Sequence, residues 1–118
     1  MNKIRKIGAT VVVDNSKILL IKRRYEPYKD SWCAPGGYTD KEIKESVEDC
    51  AVRETKEETG IDIELIKKIK ILKHPNKKKN RTEEIHIFLA KPLSLIVKGN
   101  KEVLDIKWFN FNELDNLP

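Results

Sequence analysis

Residues 44–59 contain no glycine or proline and consist mostly of residues that favour helices. Val47, Cys50, Ala51 and Thr55 recur at helical spacing and form a narrow apolar stripe. Gly60 follows at once, and glycine is the residue that most often ends a helix. The sequence therefore predicts one amphipathic helix from Lys44 to Thr59.

The segments on either side of this helix have the composition of strands. Two aliphatic runs, residues 9–13 and 18–21, are joined by the turn-type sequence Asp-Asn-Ser, which predicts a β-hairpin. The span from residue 25 to residue 37 is rich in proline and glycine and predicts a loop with a short strand near Trp32. Further strands are predicted at residues 61–72, 83–91 and 102–109, and a helical stub after them.

The second half of the chain makes the arrangement of these strands more specific. Residues 73–82, KHPNKKKNRT, are polar and basic and predict a loop. In the strand that follows, Ile85, Ile87 and Leu89 alternate and lie on one side. An order of strands, one helix, strands and a helical stub predicts an α+β domain with a helix packed on a mixed sheet.

Length and composition set the class of protein. A chain of 118 residues predicts one domain over residues 1–118, and its 36% charged residues have both signs interspersed, which argues against disorder. No signal-peptide pattern and no apolar run of membrane-spanning length is found in the sequence. The expected location is therefore the cytoplasm, with no membrane partner.

The charge is unevenly distributed along the chain. The formal net charge is +5, with basic residues concentrated at 22–24, at 77–79 and at Arg81, and acidic residues between 40 and 64. A basic protein favours anionic partners: phosphorylated small molecules, nucleic acid or an acidic membrane face. The segregation of the two signs suggests an anion held against an acidic face that carries a metal ion.

Three carboxylates lie close together on the predicted helix. At 100° per residue, Glu58 lies about 40° from Glu54 in one direction and Glu57 about 60° in the other. Like charges at this spacing repel, so we expect a cation between them, and hard oxygen ligands suit Mg²⁺, with Mn²⁺ as the alternative ion. Arg53, four residues before Glu57, can hold its carboxylate in place. The alternative is an ordinary solvated face of a highly charged chain.

These residues stand in a recognisable order. Pro35-Gly36-Gly37 precedes Glu45, and Glu45 is followed after seven residues by the sequence RETKEETGI from Arg53 to Ile61. This pattern resembles the signature box of the Nudix hydrolases, which cleave nucleoside diphosphates linked to another moiety. The flanking sequences KILLIKRR, SWCAPGG and EVLDIKWFNFNEL are similar to other parts of that family. The resemblance implies an α/β/α sandwich with a mixed β-sheet, a catalytic helix after a Gly-Gly loop, and a short C-terminal helix.

The resemblance also implies roles for individual residues. The metal ligands would be Glu54 and Glu58, supported by Glu57, by the carbonyl oxygen of Gly36 and by Glu45. Glu57 and Arg53 would serve catalysis, with Glu102, just before the last strand, as the candidate general base. Arg23 and Arg24 would bind substrate phosphates, and Lys78 and Arg81 of the basic loop would bind a second phosphate or a ribose. The box departs from the family pattern by two extra residues before Glu45 and by Lys44, where glycine is usual.

The implied activity is Mg²⁺-dependent hydrolysis of ADP-ribose or a nucleotide sugar, a nucleoside triphosphate or a dinucleoside polyphosphate. Pro75 weakly favours ADP-ribose, because relatives that cleave it often carry a proline near this place. The alternative is a Nudix-like domain of weak activity that binds nucleic acid or nucleotides. That alternative is disfavoured because Tyr25, Tyr28 and Tyr38 are expected in loops rather than on an exposed sheet. We expect a nucleotide-type small molecule as partner, and a monomer or homodimer.

Overall fold

The computed structural model describes residues 3–25, 28–95, 97–99 and 102–116. The described chain contains seven strands, one α-helix that packs against the sheet, and a 3₁₀ helix at its end. In chain order the elements are β1 (Lys3–Asp14), β2 (Lys17–Arg23), β3 (Trp32–Cys33), β4 (Gly36–Tyr38), α1 (Val47–Thr59), β5 (Ile63–Asn76), β6 (Arg81–Pro92), β7 (Val103–Asn110) and the 3₁₀ helix (Phe111–Asn116).

The sheet is mixed and β1 lies at its centre. The strand order is β3-β2-β1-β6-β5, with β4 paired to β1 and β7 paired to β2. β1 and β6 run parallel over a register that extends from Lys3 and Arg81 to Val12 and Ala90, whereas the other pairs are antiparallel. This confirms the predicted α+β class, in which one main helix packs on a mixed sheet.

The predicted first hairpin is confirmed. β1 and β2 pair through Val13 with Ile18 and through Asp14 with Lys17, so only Asn15 and Ser16 form the turn. Both turn residues have positive φ, 49° and 66°. A two-residue turn of this kind matches the right-handed twist of the flanking strands, and asparagine tolerates its left-handed backbone well.

Helix α1 begins at Val47, three residues later than the sequence predicted. Ser46 is its N-cap, and the Ser46 hydroxyl accepts a hydrogen bond of 3.0 Å from the backbone N–H of Asp49. Lys44 has a φ of 53°, a left-handed conformation that cannot continue a right-handed helix backwards. The predicted end is confirmed, because Gly60 adopts φ 77° and its N–H bonds to the carbonyl of Lys56.

The predicted basic loop at residues 73–82 is wrong in extent. β5 continues to Asn76 and β6 starts at Arg81, so only residues 77–80 form a turn. Pro75 lies inside β5, opposite Thr82, on a strand at the edge of the sheet. An edge strand tolerates proline because the missing N–H can face outwards. A proline therefore does not by itself indicate a loop at this position.

The two faces of β6 differ in burial. Ile85, Ile87 and Leu89 share one face as predicted, but they are only half-buried. The more deeply buried face carries His86, Phe88 and Ala90, and it faces helix α1 and the core. The main buried cluster is formed by Val12, Leu19, Ile61, Ile63 and Ala90.

Helix α1 lies very close to β1. A Cβ atom added to Gly8 would lie 2.5 Å from the carbonyl oxygen of Val47 and 2.8 Å from the nitrogen of Ala51. Only a glycine permits this approach, because any side chain would push the helix away from the strand. The close contact fixes the height of α1 above the sheet. In the described part of the chain, no helix is long and apolar enough to cross a membrane.

Candidate active site

The Gly36-Gly37 segment lies directly against helix α1. The backbone N–H of Gly36 donates a 2.8 Å hydrogen bond to Oε1 of Glu58. A Cβ atom at Gly37 would collide with the carboxylate of Glu54. A Cβ atom at Gly36 would instead lie 2.7 to 2.9 Å from Gly8 and Ala9, so Gly36 lets β4 approach β1, and Gly37 leaves room for Glu54. Both glycines lie in strand β4 rather than in the predicted Gly-Gly loop.

Glu58 is a carboxylate in an almost closed environment. The residue is only 7% exposed. Burial raises the pKa of Glu58 to about 8; the N–H of Gly36 opposes this shift, while the neighbouring charges of Glu54 and Glu102 add to it. A bound cation would remove this penalty by favouring the charged form.

Glu54 shares this environment one helical turn earlier. Burial raises the pKa of Glu54 to about 7, Arg53 lowers it, and Glu57 raises it. Two adjacent carboxyl groups that both resist ionisation are typical of functional sites, where a cation or a proton resolves their repulsion.

Arg53 connects the helix to the segment that precedes it. Its Nε and Nη2 donate to the two carboxylate oxygens of Glu45 at 2.8 and 2.9 Å, and its Nη1 donates to both oxygens of Glu57 at 3.0 Å. Its Nη2 also donates to the carbonyl of Tyr38 at 3.2 Å. The predicted pairing of Arg53 with Glu57 is confirmed. Hydrogen bonds from Arg53 lower the pKa of Glu45, so this carboxylate is held ionised by arginine.

A small cavity opens beside Glu58. It has a volume of about 140 Å³ and is lined by Ile21, Arg23, Arg24, Tyr25, Glu58 and Glu102. The structure thus brings together both arginines that the sequence assigned to phosphate binding, the candidate general base and one of the two principal metal ligands. Cationic side chains at the same cavity as the buried carboxylate of Glu58 suit a metal-bound phosphate, which carries the negative charge that arginine recognises.

Part of the Arg24 guanidinium is already hydrogen-bonded within the protein. Its Nη2 donates to the carbonyl of Val103, at the start of β7, over 3.3 Å. Its Nε is buried and has no hydrogen-bond partner within the described structure. A buried guanidinium nitrogen without a partner is costly, and a phosphate oxygen would satisfy it.

Lys78 and Arg81 lie elsewhere. Lys78 is in the turn at the tip of the β5–β6 hairpin, and neither residue is among the described residues that line the cavity. Arg81 donates to Glu83 at 2.7 Å and to the hydroxyl of Tyr38 at 3.2 Å. The expectation that Tyr38 lies in a loop is wrong. Its backbone pairs with β1 as part of β4, and its ring packs under the guanidinium of Arg81.

The residues at the site fit a hard divalent cation. Carboxylate oxygens of Glu54 and Glu58 stand next to the backbone of the glycine segment, and oxygen is the ligand atom that Mg²⁺ prefers. Within the described residues, no group of three or more His, Cys, Asp or Glu side chains is arranged to hold a metal ion. Mg²⁺ suits such an open site, because it retains several waters and takes further oxygens from substrate phosphates.

Two features of the site were not predicted from the sequence. Tyr25 is 59% exposed and lies at the edge of the cavity, next to the two arginines. Thr10 and Thr55 join β1 to helix α1 through a buried hydrogen bond between their hydroxyls. The proximity of Tyr25 to Arg24 in sequence was a usable signal, but the threonine pair spans 45 residues and has no local pattern.

The fold, the glycine segment and the acidic helix together define a known class of domain. The chain matches the NUDIX domain over residues 4–118 and belongs to that family. It is 37% identical over 109 residues to the ADP-ribose pyrophosphatase of Methanocaldococcus jannaschii, a match that covers 92% of this chain and 61% of the relative. It is also 27% identical to the Nudix hydrolase 2 of Arabidopsis thaliana. The chain spans 61% of the length of the first relative and 41% of the length of the second.

Solved structures support the same assignment. The MutT NUDIX hydrolase of Burkholderia pseudomallei superposes with a TM-score of 0.83 at 28% identity, over 99% of this chain and 88% of that one. A NUDIX hydrolase of Nitrosomonas europaea superposes with a TM-score of 0.81 at 26% identity, over 96% of this chain and 60% of that one. The Nudix fold expected from the sequence is confirmed.

Proposed function

We propose that this chain is a Mg²⁺-dependent pyrophosphohydrolase that cleaves a nucleoside diphosphate linked to another moiety. The observation that carries the proposal is the cavity in which Arg23 and Arg24 face the buried carboxylate of Glu58. A diphosphate that bridges the arginines and a carboxylate-bound cation would satisfy the charges on both sides. Mn²⁺ is the alternative ion, since it accepts the same oxygen ligands.

The proposed roles are those that the resemblance to the Nudix box implies. Glu54 and Glu58 would hold the cation, Glu57 would supply a further ligand, and the carbonyl of Gly36 and the carboxylate of Glu45 would support the site. Arg53 keeps Glu57 in a fixed orientation through two 3.0 Å hydrogen bonds. When bound, the cation neutralises phosphate charge and lowers the pKa of a water ligand.

Hydrolysis needs a base for the attacking water, and Glu102 is our candidate. It lies at the cavity immediately before β7, and the raised pKa of Glu58 owes part of its shift to the Glu102 charge. Attack forms a P–O bond to the water oxygen and breaks the bridging P–O bond, and the water proton goes to the carboxylate. With a diphosphate such as ADP-ribose the products are two monophosphates, and with a nucleoside triphosphate they are a nucleoside monophosphate and pyrophosphate.

ADP-ribose is our first candidate substrate. The support for it is the relative of Methanocaldococcus jannaschii, which is named for this activity and matches 92% of the chain. Nucleotide sugars, nucleoside triphosphates and dinucleoside polyphosphates remain in the same class. Lys78 and Arg81 stay predictions as substrate residues. So do the single domain over residues 1–118, the cytoplasmic location and the choice between monomer and homodimer.

The experiment is a screen of the purified protein with Mg²⁺ against these four substrate classes, with release of nucleoside monophosphate as the readout. We expect hydrolysis of at least one class that disappears when the metal is chelated. The alternative function, nucleic-acid binding without hydrolysis, is favoured by the net charge of +5. It would be supported by strong, salt-dependent oligonucleotide binding together with no hydrolysis across the panel.

A further inference from the structure

Thr10 is the residue at which the two halves of the candidate active site meet. It lies on the central strand β1 and is fully buried. Its backbone N–H donates to the carbonyl of Pro35 at 3.0 Å, and Pro35 directly precedes the glycine segment. Its hydroxyl lies 2.7 Å from the hydroxyl of Thr55 on helix α1. One residue therefore contacts both the loop and the helix that form the site.

The direction of the hydroxyl bond follows from counting protons. The Thr55 hydroxyl carries one proton and donates it to the carbonyl of Ala51 at 2.8 Å. It can therefore only accept from Thr10, so Thr10 is the donor. Thr55 is also fully buried, and water cannot replace this bond from bulk solvent.

The position of Thr55 on the helix gives the bond its consequence. Thr55 follows Glu54 directly and precedes Glu58 by three residues, so a shift of Thr55 moves both proposed metal ligands. The carbonyl of Pro35, held by the same Thr10, sets the position of Gly36, which donates to Glu58 at 2.8 Å. Thr10 thus completes a ring of contacts that connects strand β1, the loop at Pro35 and helix α1.

From these contacts we infer that Thr10 is a positioning residue, whose hydroxyl fixes the helix-borne carboxylates relative to the glycine segment. The inference rests on the proposed function for its catalytic consequence, but not for its structural one. Thr10 touches no substrate. It acts through Thr55 on the helix and through Pro35 on the loop.

The test replaces the hydroxyl while keeping the shape. Thr10→Val removes the donor, and it leaves no unsatisfied proton because Thr55 still donates to Ala51. Thr10→Ser retains the hydroxyl. The control is Ile63→Val, which removes one methyl group from the buried cluster on β5, outside the contacts through Thr10 and Thr55.

Two readouts separate positioning from general stability. In Thr10→Val we expect kcat to fall by about tenfold at saturating Mg²⁺ with KM within about twofold, because ligands displaced by a fraction of an ångström support the transition state less well. We also expect faster hydrogen exchange of the Gly36 amide in the metal-free protein, since its bond to Glu58 loosens. Thr10→Ser should restore both, and Ile63→Val should leave both unchanged.

A Thr10→Val protein whose kcat or whose Gly36 exchange rate equals that of the wild type overturns the inference. So does an equal response in Ile63→Val. If the wild type hydrolyses no substrate, the proposed function fails and the exchange rate alone decides the role of Thr10. If Thr10→Val does not fold, Thr55→Ala removes the same bond from the helix side, and the same two readouts apply to it.

Discussion

At the scale of single residues, the carboxylate of Glu58 is almost fully buried. Burial raises its pKa to about 8, and the backbone N–H of Gly36 donates a hydrogen bond that stabilises the charged form. A side chain of this kind weakens the fold unless something compensates for it. The compensation that we propose is a cation shared with Glu54.

Glu58→Gln tests this interpretation. The substitution keeps the shape and the oxygen that accepts from Gly36, but it removes a charged ligand, so we expect turnover to fall by roughly 10²- to 10⁴-fold with the fold intact. Steady-state kinetics at saturating Mg²⁺ and circular dichroism provide the measurement. Glu48→Gln, on the exposed first turn of α1, is the matched control and should leave turnover within about twofold. Unchanged turnover in Glu58→Gln would reject the site.

The raised pKa values of Glu54 and Glu58 also predict how stability depends on pH. Between the ordinary carboxyl pKa and about 8, the folded protein retains protons that the unfolded chain has lost. The free energy of unfolding of the metal-free protein should therefore fall as the pH rises from about 5 to 8. Urea titrations across this range measure it. Glu58→Gln should flatten the dependence, and an equally steep dependence in that variant would assign it to other groups.

At the scale of elements, the segment between β4 and α1 connects the glycine segment to the helix through one residue with a left-handed backbone, Lys44, whose φ is 53°. The next residue, Glu45, accepts hydrogen bonds from Arg53 with both carboxylate oxygens. Arg53 therefore contacts both Glu45 and Glu57, and Lys44 is strained because it is not a glycine.

Replacing Lys44 with glycine should relieve that strain. A left-handed backbone costs an ordinary residue about 1–2 kcal/mol, and glycine avoids this cost. Glycine also stabilises the unfolded chain by its greater conformational freedom, so we expect the free energy of unfolding to rise by about 0.5–1 kcal/mol in total. Chemical denaturation of the two proteins measures the difference. Lys41→Gly, in the same segment but without a positive φ, should instead be neutral or destabilising. A loss of stability in Lys44→Gly would contradict this explanation.

The sequence predicted the existence and type of the elements well because their patterns are local. The hairpin at Asn15, the apolar stripe of α1 and the stop at Gly60 each depend on residues within a few positions. The start of α1 was misplaced because Lys44 is a good helix former held in a left-handed conformation by its surroundings. Pro75 was placed in a loop because a proline on an edge strand has no distinctive local signal.

The site was predicted in part for the same reason. Glu54, Glu57 and Glu58 lie on one helix, so their spacing alone placed them together. Arg23, Arg24 and Glu102 were assigned through resemblance, and their meeting with Glu58 at one cavity depends on long-range packing that no spacing encodes. The partners of Arg81, which are Glu83 and Tyr38, depend on strand register and were not foreseen.

At the scale of the whole molecule, the basic residues serve two separate regions. Arg23 and Arg24 lie at the cavity, whereas Lys78 lies at the tip of the β5–β6 hairpin in a molecule whose longest dimension is 44 Å. Coulombic effects between exposed charges weaken beyond about 10 Å in physiological salt. Lys78 is not among the described residues that line the cavity, so it contributes to the net charge of +5 without lining the site.

This separation predicts different kinetics for the two regions. Arg23→Ala should raise KM by about tenfold or more through the loss of a phosphate contact at the cavity, and Lys78→Ala should raise KM by less, because Lys78 does not line the cavity. Steady-state kinetics with the best substrate of the panel measure both. An equal rise in KM for the two variants would mean that the hairpin tip reaches the bound substrate and that Lys78 has the substrate-binding role predicted from the sequence.

The central claim is that Glu54 and Glu58 bind a divalent cation. The most direct measurement is a Mn²⁺ titration of the substrate-free protein, followed by electron paramagnetic resonance of the free ion, for the wild type and for the Glu54→Gln/Glu58→Gln double variant. We predict saturable binding to the wild type that strengthens as the pH rises through about 7 to 8, where these carboxyl groups ionise, and loss of that binding in the variant. Equal Mn²⁺ binding by the two proteins, or none by the wild type at pH 8, would contradict the account.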